Sequence, residues 1–180
     1  MSIDYKLLNK QLEALVEGET DPVCILANAA ALLKETTGWF WVGFYRVRGN
    51  ELLLGPFQGP VACCRIGYGK GVCGAAWAQQ RSLVVPDVEE FPGHIACSSL
   101  SRSEIVIPIF ADGTTVYADG TMVPDDSAAP GDPVAPEGTV IGVLDIDSTE
   151  PGTFTVADRI GLEAFCAILA RSIGTAVPIE

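Results

Sequence analysis

The order of apolar patterns along this chain predicts an α+β domain, an antiparallel sheet with helices packed on it. Three observations carry the expectation. Helical segments open and close the chain, whereas its middle alternates short β-branched runs with turns built on glycine, proline and asparagine. One early strand is apolar on both faces, which makes it a central strand. A length of 180 residues fits one domain with a substantial core.

The first helix is expected over residues 3–17, capped by Ser2, with Leu7, Leu8, Leu12, Leu15 and Val16 as its apolar face. Gly18 ends it. Asp21 and Pro22 start a second helix, with proline at its favoured first position. The run 23–33 is apolar nearly all round, and Cys24 within it reads as core filler. Thr37 and Gly38 break this helix, and residues 39–47 read as a strand. Trp39, Trp41, Gly43 and Tyr45 share one of its faces, while Phe40, Val42 and Phe44 share the other. Gly43, between two aromatics, leaves a gap that a ligand can occupy.

A turn at Arg48, Gly49 and Asn50 leads into a strand over 51–57. Glycine-rich residues 67–74 precede a short helix at 75–80. Their spacing fits neither a P-loop nor a dinucleotide fingerprint, so Lys70 is weak evidence for phosphate binding. A helix start beside Cys73 would lower that thiol's pKa. Strands follow at 82–85, 105–110 and 139–148. Thr155 and Asp158 form a capping box for a last helix running to about residue 173, with Ile160, Leu162, Phe165, Ile168 and Leu169 buried and Cys166 inert among them. Residues 111–138 carry six acidic side chains and no lysine or arginine, with Thr115-Val116-Tyr117 and Met122-Val123 as their weak strand material. They read as a surface hairpin or mobile insertion within a single domain spanning 1–180.

The formal charge of −12 disfavours nucleic acid and anionic membranes as partners. No apolar run approaches the ~20 residues of a membrane helix, and the opening Met-Ser-Ile-Asp-Tyr-Lys lacks the pattern of a signal peptide. A cytoplasmic protein is the expectation. In that compartment six cysteines point to catalysis, metal or packing rather than to a disulfide framework.

One stretch reads as a reaction centre. Gly93-His94-Ile95-Ala96-Cys97 and the polar residues up to Arg102 form a loop, and Glu104 stands at the mouth of the apolar run that follows. A working cysteine must be partly exposed in a positive or hydrogen-bonding neighbourhood, which His94, the serines and Arg102 can supply. On the loop alone, a nucleophile and a small apolar filler are equally good readings of Cys97. Asp145 and Asp147 alternate with Leu144 and Ile146, so both carboxylates face one side of a strand, where Glu104 can join them. Such a cluster can hold an ammonium group, bind a metal or keep one member protonated. The plainer alternative is a solvated strand end.

The motifs Trp41-Val42-Gly43-Phe44-Tyr45, Gly59-Pro60-Val61-Ala62-Cys63, Gly71-Val72-Cys73-Gly74, Gly93-His94-Ile95-Ala96-Cys97, Ser103-Glu104-Ile105-Val106 and 142–148 together resemble free methionine-R-sulfoxide reductases, a family built on a GAF-like domain. The resemblance implies thiol-dependent reduction of free L-methionine-(R)-S-oxide, thioredoxin as electron donor and no cofactor, and it is compatible with a homodimer. It also implies Cys97 as the attacking thiol, Cys63 as the resolving one and Cys73 as a third able to form an alternative disulfide. Trp41 and Tyr45 become pocket walls, and Glu104, Asp145 and Asp147 its polar end. Cys64, a second thiol beside Cys63, and the long 111–138 segment depart from the pattern. Two rival readings are a GAF-like sensory module that only binds a small molecule and a zinc protein using His94 and the thiols. The first leaves three cysteines unexplained, and the second lacks the ligand spacing of structural zinc sites.

Overall fold

In a computed structural model the described residues are 3–95, 97–111, 113, 115–116, 122–123 and 138–174. The chain begins with α1 (Tyr5–Val16) and α2 (Pro22–Thr37), then β1 (Trp41–Arg48), β2 (Glu51–Gln58) and β3 (Arg65–Gly67). Helix α3 (Gly71–Gln79), β4 (Leu83–Val85), a short 3-10 turn (Val88–Glu90) and β5 (Ser103–Phe110) follow. After β6 (Thr115–Val116) and β7 (Met122–Val123) come β8 (Val140–Ser148) and α4 (Val156–Gly174).

The main sheet runs β3-β2-β1-β8-β5-β4, every pair antiparallel. The expected fold class is therefore the observed one, with a difference in order. β8 does not extend the meander at an edge but inserts between β1 and β5. The side-chain alternation of the central strands then sorts two cores. Val42, Phe44, Ile105, Ile107, Leu144 and Ile146 face α1, α2 and α4 on one side. Trp41, Tyr45, Val106 and Val143 face Val72, Cys73 and Ala76 of α3 on the other.

Helix ends follow their capping chemistry. Asp21 accepts hydrogen bonds from the Val23 and Cys24 amides, Pro22 occupies the first turn, and Gly38 closes α2 in the left-handed conformation. Thr155 and Asp158 form the expected reciprocal cap, with Thr155 N–H donating to Asp158 and Asp158 N–H to the Thr155 hydroxyl. Four expectations are corrected. Asp4, not Ser2, caps α1 by accepting from the Leu7 amide; Ser2 lies outside the described residues. That start leaves Leu8, Leu12 and Val16 buried, while Leu7 and Leu15 are exposed. Ile160 in α4 is likewise exposed. Cys24 is only half-buried rather than core, because the buried face of α2 is Ile25, Leu26, Ala29, Ala30 and Leu33.

Of the 111–138 segment, Thr115 pairs with Val123 and Val116 with Met122 in a short antiparallel ladder. Tyr117 and most of the remaining segment lie outside the described residues.

Candidate active site

The site sits on the α3 side of the sheet, where cross-strand register brings distant residues side by side. Glu104 on β5 pairs with Asp147 on β8. On the other flank of β8, Asp147 pairs with Trp41 and Asp145 with Gly43. Opposite partners in a ladder lie about 4.5–5.5 Å apart, so one small patch collects three carboxyls and an aromatic wall. The resulting pocket encloses about 490 Å³ including its open mouth, and its lining includes Trp41, Tyr45, Cys73, Cys97, Glu104, Asp145 and Asp147.

The aromatic walls are locked. Trp41 stacks on Phe57 and Tyr45. Its Nε1–H donates to the Pro60 carbonyl, and the Tyr45 hydroxyl donates to the Cys63 carbonyl, each at 3.0 Å. The gap expected at Gly43 is not open to a ligand. A Cβ there would fall onto the Trp41 indole and 2.5 Å from Phe57 Cβ, so the glycine exists to admit Trp41.

Helix α3 starts at Gly71, earlier than expected, which puts Cys73 in its first turn. Gly71 has φ +58°, and a side chain there would press on Ile95 at 3.3 Å, so glycine lets the Cys97 loop close down on the helix. The expected lowering of the Cys73 pKa is overturned. Burial, then the Asp145 and Glu104 charges, push this thiol well up. A helix terminus is outweighed when two carboxyls face the sulfur.

Glu104 and Asp145 are 6% and 7% exposed, which excludes a solvated strand end. Burial first, then neighbouring carboxylates, raises both well above the ordinary range. Asp147 is pushed up to about 6 by burial, against a hydrogen bond from Ser101. His94 Nε2 lies 3.8 Å from Glu104 Oε2. Burial pushes His94 down and Glu104 up, so both shifts favour the uncharged forms across this contact. The Arg102 guanidinium turns away to Asp87 at 3.4 Å. Of the polar residues expected around Cys97, Arg102 is thus engaged with Asp87 and His94 faces Glu104.

Cys97 is joined to Cys63 in a disulfide across a Cα–Cα distance of 5.4 Å. Cys64 is exposed and free, Cys73 buried and free. All eight expected site residues thus converge: seven line the pocket, and Cys63 is bonded to Cys97 at its edge. Sequence reasoning missed Ser101 as the partner of Asp147, because no spacing distinguishes it from the other loop serines.

The sequence profile of the GAF domain matches residues 21–173. Free methionine-R-sulfoxide reductase of Escherichia coli (strain K12) is 41% identical over 95% of this chain and 89% of its own. The chain belongs to the free methionine-R-sulfoxide reductase family of GAF domains. GAF domain-containing protein A of Dictyostelium discoideum is 48% identical, covering 86% of this chain and 83% of its own. The X-ray structure of free methionine-R-sulfoxide reductase from Neisseria meningitidis in complex with its substrate superposes with TM-score 0.78 and 46% identity, over 94% of this chain and 87% of that one. In reductases of this family the GAF scaffold is thus an enzyme rather than a sensor, and the fold expected from the motifs is the fold observed. No helix among the described residues is long and apolar enough to cross a membrane.

Proposed function

We propose that the protein reduces free L-methionine-(R)-S-oxide to L-methionine through Cys97 and Cys63. The observation that carries this reading is the Cys63–Cys97 disulfide at the edge of a pocket with aromatic walls and a carboxyl floor. The Cys97 thiolate attacks the sulfoxide sulfur while the sulfoxide oxygen takes up a proton. That oxygen then passes to the Cys97 sulfur as the S–O bond and the transient S–S bond break, so methionine leaves and Cys97 becomes a sulfenic acid. Cys63 then attacks that sulfur, releasing water and forming the disulfide. A dithiol protein of the thioredoxin kind takes the disulfide back to two thiols, supplying the two electrons.

The residues fit each demand. Glu104 and Asp145, whose burial favours their protonated forms, are placed to give the proton that the departing oxygen needs. Trp41 and Tyr45 offer their rings to the S-methyl group, a sulfur–aromatic contact worth about 0.3–1.5 kcal/mol. Asp147 completes an acidic end suited to the α-ammonium of a free amino acid. Cys73, beside Glu104, is the reserve thiol for an alternative disulfide.

The test is a single-turnover assay with pre-reduced protein. Cys97→Ser should release no methionine; Cys63→Ser should release one equivalent and then fail to recycle. Full release by Cys97→Ser would sink the assignment and move it to Cys73.

A further inference from the structure

Donors of two chemical kinds meet at the floor of the pocket. Cys73 Sγ, one oxygen of Glu104 and one of Asp145 all lie within 4.8 Å of one another, and all three side chains are buried. Sγ is 3.9 Å from Glu104 Oε1, while Glu104 Oε2 faces His94. The three come from α3, β5 and β8, elements that pack around one core. Independently, Asp145 Oδ1 is buried without a hydrogen-bond partner, on a side chain that lines the pocket. An orphaned buried acceptor carries a desolvation cost that a bound cation removes.

We propose that Cys73, Glu104 and Asp145 form a binding site for a thiophilic divalent cation of the Zn²⁺ class, occupied in competition with the amino-acid substrate. An ammonium group satisfies the oxygens but gains nothing from sulfur. Mg²⁺ and Ca²⁺ demand shells of six or more oxygens, which one thiol and two carboxyls do not provide. Zn²⁺ takes sulfur at about 2.3 Å and carboxylate oxygen at about 2.0–2.2 Å, commonly with three protein ligands and one open position. Here the open position faces the pocket. Those bond lengths imply donor separations of roughly 3.5 Å, so the ion draws the three ligands slightly inward. His94, against the other oxygen of Glu104, is placed to orient that ligand. Binding changes no oxidation state; the Cys73 thiol proton, and the protons that burial favours on Glu104 and Asp145, pass to solvent. The sequence offered Glu104 and Asp145 as possible metal donors but hid Cys73 as their partner, because it stands far from both in the chain and no common spacing motif joins these ligand types.

The experiment titrates Co²⁺, a spectroscopic stand-in for Zn²⁺, into protein whose Cys63–Cys97 pair is oxidised, which removes those two thiols as competitors. One equivalent should bind with a thiolate-to-cobalt charge-transfer band in the near ultraviolet, bleached by Zn²⁺ and by excess free methionine-R-sulfoxide. The band should vanish in Cys73→Ala and survive in Cys64→Ser and Cys24→Ser. Asp145→Asn should keep the band but weaken binding on the order of tenfold. Circular dichroism establishes that each variant is folded, and Asp145→Asn carries the test if Cys73→Ala is not. A band retained in Cys73→Ala, a band lost in Cys64→Ser, unchanged affinity in Asp145→Asn, or no stoichiometric binding overturns the site. Failure to bleach with the sulfoxide overturns the competition. The acidic pocket is part of the proposed reductase site, but the spectral readout does not depend on turnover. Loss of activity with an intact band would count against the reductase reading alone.

Discussion

Removing the Tyr45 hydroxyl separates the two chemical steps. Its ring is buried in the pocket wall, and its O–H donates at 3.0 Å to the carbonyl of Cys63. Burial, then Asp145, holds the phenol above its ordinary pKa, so it remains a donor across the working range. With the Trp41 bond to Pro60, this contact fastens the loop bearing Cys63 to β1. Tyr45→Phe keeps the ring and deletes about 1 kcal/mol of net hydrogen bonding, which is roughly a fivefold loss in the docked population of the loop. Disulfide formation after the first turnover should therefore slow by about fivefold, while methionine release falls less because the aromatic wall is still present. Rapid quenching, with methionine and free thiols counted against time, measures both rates. An equal fall in the two, or normal disulfide formation, would refute the reasoning.

Three further outcomes are expected. On the proposed reading, free methionine-R-sulfoxide should be reduced far better than its N-acetyl form, because acylation removes the ammonium assigned to the carboxyls; equal kcat/KM on the two would detach Glu104, Asp145 and Asp147 from that role. Asp147, at about 6 in the fold against an ordinary 3.8, binds more protons folded than unfolded between those values. Its contribution to stability is therefore present below about pH 4 and lost as pH rises through about 6, a cost of at most ~3 kcal/mol at neutral pH. With chelator present, Asp147→Asn should flatten the pH dependence of the urea midpoint, and an unchanged slope would contradict the burial argument. Replacing residues 112–137 by an Asn-Gly turn should leave single-turnover methionine release within a few-fold of the parent, since loop length carries only a logarithmic entropy cost. Collapse of activity in a folded variant would show that the segment covers the pocket.

How far the fold could be read from sequence depended on whether the signal was local. The Asp21-Pro22 start of α2, the Thr155–Asp158 box and the two faces of β1 from Trp41 onward are written in neighbouring residues and appear as expected. Trp39 and Phe40, by contrast, precede the strand and pack in the opposite cores to those expected. The carboxyl cluster was half legible: period two put Asp145 and Asp147 on one face, but only the β5–β8 register makes Glu104 their neighbour. The start of α3 was missed because Gly71 and Gly74 read as loop. Tertiary contact overrides that propensity, since a Cβ at Gly74 would meet the Gly67 carbonyl oxygen at 2.5 Å. The exposed Leu7, Leu15 and Ile160 share a cause of error. An apolar stripe states which residues favour burial, but the packing partners set how wide a face is covered.

The place of β8 has a consequence for how the molecule comes into being. Until residues 140–148 leave the ribosome, β1 and β5 each present a bare edge of unpaired amides and carbonyls, and the two halves of the sheet have nothing to join them. The strand that welds them also delivers Asp145 and Asp147, so the reaction floor and the continuous sheet arrive in one late event. Long-range pairing of this kind makes for slow folding and a vulnerable nascent state. A ribosome stalled before residue 140 would hold a chain with Cys63, Cys73 and Cys97 already made, its sheet divided and, of the three carboxyls of the pocket, Glu104 alone.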